Sequence, residues 1–470
     1  MPNTIQFDVT FKKPGHPERR RNPRQFRLLV MGDFSGHRPT VSTPAGYPAM
    51  PVDCDNLEQR MQQIGPALDL RFQDSPVSGL HLEFSSLDDF HPDRLFDRVE
   101  LFNELRDLRK KLLNPHTFAE TARSITGEEI QTPHHPEQPG VTGGDTFAGL
   151  LGKPVIQNRT TAQIHPAVAG LIRKFVAPYI VDEAGPEQIR LVASVDTALS
   201  EQMREILHHE DFQALESAWR GLEFLVRELE LDSELSMHML DFSKSRWVAE
   251  LPESGLPEDS ALYRILVADA GGIPGTEAWN LIVGLYNFTM SDTGLLNSIG
   301  DLARHAGTTF ITGISYPGLR AEVDPDWESL RRSQCAANLC LATPGLLLRL
   351  PYGASTDEID RFEFEEMPQG PIHEHYLWAS AALVCAALIA KSLSRDDVRP
   401  GGITRLDGLS VHSYRVQGET EMTPCGGAWL SESEAERLIR KGVIPILSIK
   451  NTDAVRVMGF QSLAGGPVLV

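Results

Sequence analysis

The sequence predicts an α/β (α+β) protein in which mixed sheets pack against helices. Short apolar runs at residues 281–283, 310–314, 346–350 and 443–449 alternate with stretches of helical periodicity, and this alternation is typical of strands covered by helices. A further run, residues 26–31, is almost continuously apolar, as expected of a strand buried on both faces. No internal repeat is visible, which excludes a solenoid.

The N-terminus is predicted to be a strand on a tether. Ile5, Phe7, Val9 and Phe11 recur at a spacing of two, which places them on one face of a strand. The basic, proline-containing residues 12–24 then separate this strand from the body. Because an isolated strand cannot pair its own backbone groups, we expect it to join a sheet, either in its own domain or in a neighbouring subunit.

The rest of the N-terminal part reads as a short helix, two strands and a longer helical stretch. Residues 55–64 have the pattern of the helix, and residues 68–72 and 80–84 alternate as strands. Apolar residues then recur at helical spacing over residues 87–112. Pro92 lies early in this stretch, where the start of a helix tolerates proline.

A change of composition predicts a linker and, with it, the domain organisation. Proline, glycine, threonine, histidine and glutamine dominate residues 124–165, as in a connecting segment. We therefore expect an N-terminal region over residues 1–123 and a C-terminal region over residues 166–470. One apolar cluster, Phe147-Ala-Gly-Leu-Leu151, interrupts the linker.

The C-terminal region reads as helices between strands. A final short strand is expected at residues 454–460, and Ser431 with Glu434 has the spacing of a capping box. Helices are predicted at residues 168–179, 188–207, 211–230, 294–305, 376–392 and 431–441.

Composition narrows the functional class. The 470 residues carry a net charge of −20, which argues against nucleic acid as a partner, since phosphate binding needs a basic surface. The five cysteines show no CxxC spacing, so neither a disulfide framework nor a zinc site is expected. No signal peptide is evident, and the longest strongly apolar stretch, residues 376–389, is too short to cross a bilayer. A cytoplasmic protein without membrane insertion is expected.

The candidate chemical groups favour a structural interpretation. His208 and His209 are adjacent, and neighbours on a helix point about 100° apart, so a helix break is a better explanation than a shared metal ion. His373 and His375 would share one face of a strand, and an enzyme would need a pocket that unites them with Glu365. No phosphate-binding loop and no nucleophile elbow is present. The sequence therefore predicts no catalytic residue, no metal site and no cofactor.

Two remaining groups of charged residues also fit structural roles. Asp88 and Asp89 precede Pro92, which suits the start of a helix because its dipole favours negative charge. Arg331, Arg332 and Arg349 are interpreted as ion-pair or interface residues rather than as phosphate clamps.

Two blocks of sequence resemble two different proteins. Residues 3–114 contain Leu28-Leu-Val-Met-Gly-Asp-Phe34 and Leu87-Asp-Asp-Phe90, and they resemble the small (TssB-like) subunit of the contractile sheath of type VI secretion systems. Residues 165–470 contain Ile206-Leu-His-His209, Trp219-Arg-Gly-Leu222 and Leu348-Arg-Leu-Pro-Tyr-Gly353, and they resemble the large (TssC-like) subunit. The order predicts a natural fusion of both sheath subunits.

The resemblance implies a contractile-tail-sheath-like fold with exchanged terminal strands, assembled as a helical homopolymer around an inner tube. It also implies baseplate components as partners, and an AAA+ unfoldase that disassembles contracted sheaths. The cluster in the linker is either a recognition segment for such an unfoldase or an ordinary linker cluster. The predicted assembly residues are Ile5, Phe7, Val9 and Phe11 in the donor strand, Val455, Val457 and Phe460 in the C-terminal strand, and Phe147, Leu150 and Leu151 in the linker cluster.

The sequence leaves three alternatives open. The chain could form the sheath of a phage-tail-like contractile injection particle, or it could be a scaffold of the same fold that does not polymerise. An enzyme is the third alternative, and it depends on the histidine cluster described above. The sequence also does not decide the helical parameters of a sheath, or whether a separate small subunit is needed.

Overall fold

The computed structural model describes residues 26–36, 49–72, 79–126, 187–251, 261–268, 278–315, 324–394 and 402–469. These residues form two compact units. The first comprises the described residues within Met1–Leu68, Glu83–His91 and His208–Val470, and the second those within Asp69–Leu82 and Pro92–Leu207. Each unit therefore draws on both the N-terminal and the C-terminal region of the sequence.

The strands of the described residues are β1 Phe26–Gly32, β2 Met50–Pro51, β3 Ala67–Leu70, β4 Leu80–Glu83, β5 Leu235–Asp241, β6 Leu281–Phe288, β7 Thr309–Ile314, β8 Leu339–Thr343, β9 Leu346–Leu347, β10 Trp378–Ala379, β11 Arg405–Leu406, β12 Ser413–Val416, β13 Glu419–Met422, β14 Val443–Ser448 and β15 Val455–Val457. The α-helices are α1 Leu57–Ile64, α2 Pro92–Arg98, α3 Glu100–Leu113, α4 Phe118–Thr126, α5 Glu187–Leu207, α6 Glu210–Glu228, α7 Lys244–Glu250, α8 Ala261–Tyr263, α9 Thr293–Ala306, α10 Pro325–Arg332, α11 Ala382–Ser394 and α12 Glu432–Arg440.

A nine-stranded mixed sheet is the centre of the first unit. Its strand order is β11-β15-β14-β8-β7-β6-β1-β5-β2. β1 is parallel to both of its neighbours, with Phe26 opposite Leu235 on β5 and Leu28 opposite Leu281 on β6. Strands at both edges of the sheet are antiparallel to their neighbours. At one edge β2 is antiparallel to β5, and at the other β15 is antiparallel to β14 and to β11. The predicted α/β architecture with mixed sheets and packed helices is thus confirmed.

The apolar run of β1 is buried on both faces of this sheet. Leu28, Leu29, Val30 and Met31 are each 0% exposed, as the continuous apolar pattern predicts. Because side chains alternate along a strand, Leu29 and Met31 lie together in a core cluster that also contains Trp247. Leu28 and Val30 therefore point to the opposite face.

Helices α6 and α11 pack against each other in this unit, and α11 also contacts β6 and β7. The buried face of α6 includes Leu215, Trp219 and Leu222, as its helical spacing predicts. Gly221 permits a close approach, because a Cβ atom there would lie 3.0 Å from Leu383 Cδ1 on α11. A larger residue at position 221 would require the Leu383 side chain to shift.

The second unit is mainly helical. Helix α3 packs against α4 and α5 and buries Phe102, Leu105, Leu108 and Leu112. An ion pair adds to the contact between α3 and α5, with Arg109 Nε 2.6 Å from Asp196 Oδ1. No helix of the described residues is long and apolar enough to cross a membrane.

Several predicted elements need correction. The helix expected over residues 376–392 begins only at Ala382, and β10 occupies part of its predicted first turn. The helical stretch over residues 87–112 is divided into a 3₁₀ turn, α2 and α3. Strands β5 and β8 were not predicted, although β5 alternates buried and half-buried residues over most of its length. The predicted helix over residues 168–179 lies outside the described residues.

Candidate functional site

The turn that follows β1 is held by the C-terminal region of the chain. The Asp241 carboxylate at the end of β5 accepts hydrogen bonds from the backbone N–H groups of Phe34 at 2.8 Å and Ser35 at 3.1 Å. Burial raises the pKa of Asp241, and these hydrogen bonds oppose part of that rise. Gly36 has a φ of +77°, and a Cβ atom there would lie 2.5 Å from the Ala67 carbonyl oxygen. Only glycine fits this turn without strain.

Aromatic side chains extend the contact around this turn. Trp219 Nε1 on α6 donates a hydrogen bond of 2.9 Å to the Phe34 carbonyl oxygen, and the two rings lie 5.2 Å apart. Phe84 and Phe90 stack at 4.4 Å, and Phe212 on α6 meets them edge-on at 6.0 and 5.6 Å. Residues from two distant stretches of sequence thus share one apolar core.

Asp89 sets the position of Phe90 by capping a short 3₁₀ helix. Its carboxylate accepts hydrogen bonds from the backbone N–H groups of Ser85 and Ser86, and Ser86 with Asp89 forms a capping box. The prediction that this acid belongs to the start of a helix is confirmed. The capping geometry directs Phe90 into the apolar core.

A second contact of α6 consists of buried charges. Arg349 bridges two buried carboxylates, with Nε 2.9 Å from Glu216 Oε1 and Nη1 2.8 Å from Glu366 Oε2. Arg220 Nε also donates to Glu216 Oε1, at 2.7 Å. The Tyr352 backbone N–H donates to Glu366 Oε2 at 2.8 Å, and the Tyr352 ring lies under the Arg349 guanidinium. The interpretation of Arg349 as an ion-pair residue is confirmed.

The electrostatics of this ion cluster keep its carboxylate charged. Burial alone would raise the pKa of Glu366, but Arg349 and the hydrogen bonds of the cluster lower it to about 2. Burial would likewise lower the pKa of Arg349, yet Glu216 and Glu366 hold it well above its usual range. Glu366 and Arg349 are therefore both ionised at neutral pH, and their opposite charges compensate each other.

The histidine pair lies where α5 ends and α6 begins. His209 is the N-cap of α6, and its Nδ1 accepts a hydrogen bond from the Asp211 N–H at 3.2 Å. The predicted helix break is confirmed. His208 stacks on His375 at 3.8 Å, and its Nε2 lies 3.4 Å from Glu366 Oε1. Burial and the neighbouring His208 lower the pKa of His375.

The structure does not unite the three residues of the enzyme alternative. Residues His373–His375 form a 3₁₀ turn rather than the predicted strand. His373 stacks on Trp378 at 5.0 Å, whereas Glu365 accepts a hydrogen bond from the Ala354 N–H. Among the described residues, no three His, Cys, Asp or Glu side chains are arranged to hold a metal ion.

The predicted assembly residues are only partly within the described chain. Val455 and Val457 are buried in β15, where they pair with β14 and β11 of the same chain, and Phe460 is half-buried just beyond. The donor-strand and linker-cluster residues lie outside the described residues. The ion cluster around Arg349 was not predicted as a unit. The sequence feature that could have indicated this cluster is Glu216, an acidic residue on the otherwise apolar face of α6.

Comparison with known proteins agrees with both blocks of sequence. The profile of the VipB family, described as EvpB/VC_A0108, tail sheath N-terminal domain, matches residues 189–323 and 320–464. The profile described as type VI secretion system, VipA, VC_A0107 or Hcp2 matches residues 8–126. A tail sheath is a structural assembly, in agreement with the prediction of a structural protein.

A curated relative points to the same system. The type VI secretion system sheath protein TssC1 of Pseudomonas aeruginosa is 32% identical over 303 residues, which cover 58% of this chain and 60% of the relative. The chain thus spans less than two thirds of the length of that protein. With both profiles matched in one sequence, the chain belongs to the VipB family of tail sheath proteins, and ahead of the VipB match it carries a region that matches the type VI secretion profile VipA.

Proposed function

We propose that this chain is the repeating subunit of a helical contractile sheath, which surrounds an inner tube and drives it through the cell envelope. The position of β1 is the observation that carries the proposal. This strand comes from the region that matches VipA, and it lies between β5 and β6 from the region that matches VipB. One folded chain thus supplies both sheath regions in a one-to-one ratio.

The proposed organisation keeps the sequence boundaries. Residues 1–123 would form the small-subunit region with its donor strand, residues 124–165 the linker, and residues 166–470 the large-subunit region. The two compact units cross these boundaries, which supports a subunit whose regions fold together. We place this subunit in the cytoplasm.

Assembly would follow from a contact that does not close on itself. A head-to-tail interface with an open rotation builds a helical filament. Strand exchange between neighbours would keep them joined while their bodies change packing during contraction. Ile5, Phe7, Val9 and Phe11 form the proposed donor, and the stretch from Val455 to Phe460 is a second participant. The fold would then be contractile-tail-sheath-like with exchanged terminal strands.

The proposed partners follow from the same assembly. They are further copies of the chain, the inner tube protein, baseplate components, and an AAA+ unfoldase that recycles contracted sheaths. Phe147, Leu150 and Leu151 would serve as its recognition segment, since apolar residues at this spacing can line one side of a short helix that docks in a groove. Nucleic acid and membrane insertion are not part of the proposal.

Expression of the chain without other sheath proteins tests the function. Electron microscopy should show helical filaments, because both sheath regions are present. The opposing result is a chain that stays monomeric under all conditions, with filaments restored by an added small subunit. A chain that forms no filaments even with that subunit would be the non-polymerising scaffold. The genes beside this one would separate type VI secretion from a phage-tail-like injection particle.

A further inference from the structure

The hairpin of β12 and β13 is a small sheet that projects into solvent. Tyr414 and Met422 are half-buried, and the other six residues of the two strands are exposed. Two-stranded sheets on their own are marginal in water. The short edge strands of the nine-stranded sheet, β2 and β11, have two residues each, so they offer little backbone for strand addition. The hairpin strands have four residues each and so offer more backbone for an added strand.

The geometry of the hairpin identifies which backbone groups are available. Gln417 and Gly418 form its turn with φ angles of 52° and 90°, as in a type I′ turn. Val416 and Glu419 therefore close the turn as a hydrogen-bonded pair, and bonding alternates from pair to pair along the ladder. The Thr423 N–H donates to the His412 carbonyl oxygen at 2.9 Å, which fits this alternation.

From this alternation, the backbone groups of Arg415 and Ser413 point away from the hairpin on the β12 edge. Those of Thr420 and Met422 point away on the β13 edge. Each edge thus presents two outward N–H groups and two outward carbonyl groups, which an added strand could bond.

The side chains distinguish the two edges. Tyr414 and Val416 lie on one face of β12 and Arg415 on the other, because successive residues alternate. On β13, the residues opposite Tyr414 and Val416 are Glu421 and Glu419. One face of the β12 edge is therefore apolar and the other carries a positive charge, whereas the β13 edge is acidic on the corresponding face.

Residues 5–11 match the β12 edge. As the strand that their spacing predicts, these residues would carry Phe7 and Val9 on an apolar face, with Asp8 between them on the polar face. Beside β12, Phe7 and Val9 would meet Tyr414 and Val416, and Asp8 would meet Arg415. Beside β13, the apolar face would meet two carboxylates. The 14 residues between Phe11 and Phe26 can span at most roughly 46 to 50 Å, so the tether does not confine the strand to the surface beside β1.

We propose that the β12 edge of the hairpin accepts residues 5–11 of a second copy as an added strand. This deepens the strand exchange proposed above and rests on it. The backbone supplies the affinity of such an added strand, and the alternating side chains supply its direction and register.

Peptide binding tests the edge independently of filament formation. The acceptor is the full chain carrying Phe7→Asp and Val9→Asp, so that its own strand does not compete. The probe is a labelled peptide of residues 2–13. Arg415→Pro and Thr420→Pro are matched variants, since each removes an outward N–H and leaves the ladder between the strands intact. Arg415→Pro should weaken peptide binding at least tenfold, and Thr420→Pro less than twofold.

A charge exchange provides the second test, which does not depend on how the proline variants fold. Arg415→Glu should weaken binding several-fold, and an Asp8→Lys peptide should recover at least half of that loss. Equal effects of the two proline variants, no recovery by charge exchange, or no binding at all would overturn the hairpin assignment.

Electron microscopy of the unmutated chain separates this proposal from the proposed function. If the chain forms filaments but the peptide shows no preference for the β12 edge, the sheath proposal is supported and the hairpin is excluded as the acceptor of the added strand. Edge-specific peptide binding without filaments would support the hairpin and count against the sheath.

Discussion

Helix α6 holds two distant parts of the chain by opposite physical means. Trp219 contacts the turn after β1 through its ring and one hydrogen bond to Phe34. Glu216, one turn away on the same helix, holds Arg349 through buried charges. Apolar contacts stabilise roughly in proportion to the area they bury. A buried ion cluster is often no better than an apolar replacement, but it becomes strongly unfavourable when one partner is missing.

This difference assigns different roles to the two contacts. The apolar contact contributes stability to the shared sheet. A small loss of buried apolar area there removes only a proportionate part of that stability. The ion cluster accepts one arrangement of the stretch from Arg349 to Glu366, because any other arrangement leaves a buried charge without compensation.

The largest effect is expected from Arg349→Met. This change leaves Glu216 and Glu366, which are 0% and 1% exposed, without the cation that bridges them. The free energy of unfolding should fall by about 3–5 kcal/mol, measured by urea denaturation. Arg332→Met is the matched control, because its side chain is 82% exposed beside Glu328, and it should cost less than about 1 kcal/mol. Equal losses would show that burial of the charges does not matter.

Removing all three charges together should cost less than removing one. The variant with Glu216→Gln, Arg349→Met and Glu366→Gln leaves Arg220 as the remaining charge beside these positions, and the glutamines can still accept hydrogen bonds. The Arg220 side chain is 22% exposed, so water compensates part of its charge. The triple variant should recover at least half of the stability lost in Arg349→Met. A triple variant that is less stable than Arg349→Met would contradict the interpretation that the cluster selects one arrangement of the chain rather than adding stability.

Acid should weaken the ion cluster before it weakens the apolar contact. The folded pKa of Glu366 is about 2, below its ordinary value of 4.5, so its contribution is present above pH 4.5 and is lost as the pH falls towards 2. The loss should amount to about 3 kcal/mol. His375 has a lowered pKa and adds a loss of the same sign, which begins below about pH 6.5.

Urea denaturation of the wild type and the triple variant at pH 5, 4 and 3 measures this contribution. The wild type should lose more stability over this range, because the variant lacks the Glu366 carboxylate. Parallel curves would show that Glu366 does not carry the acid dependence.

A smaller effect is expected from Trp219→Phe. The change removes the hydrogen bond to the buried Phe34 carbonyl oxygen but keeps an aromatic ring at the contact. It should cost about 2 kcal/mol, from the unsatisfied carbonyl and the lost volume. Trp429→Phe is the matched control, since Trp429 is 46% exposed, and it should change stability by less than about 0.5 kcal/mol. Similar values for both variants would show that the contact with Phe34 contributes little.

The same contrast explains what the sequence could predict. The apolar run of β1 and the face of α6 were predicted, because burial leaves a periodic pattern in the chain. The partners of Arg349 were not, because Glu216 and Glu366 lie 133 and 17 residues away from it, and charge alone does not say which residues meet. The turn at His373–His375 was wrongly read as a strand, since two histidines at a spacing of two suit either structure.

The position of β1 in the sheet could not be predicted from the sequence either. Its pattern shows that both faces are buried, but not that its two neighbours come from beyond the linker. The predicted linker over residues 124–165 overlaps the stretch between the residues that match VipA and those that match VipB, and its bounds stay a prediction. Composition cannot show that the regions on either side of this stretch contribute to the same sheet.

Cleavage of the linker tests the shared sheet most directly. A protease site inserted between Pro139 and Gly140 would divide the chain into a piece with β1 and β2 and a piece with the other seven strands of the nine-stranded sheet. The cut pieces should migrate together in gel filtration without denaturant, because β1 remains paired with β5 and β6 on either side. Pieces that separate as two folded proteins would contradict the single sheet.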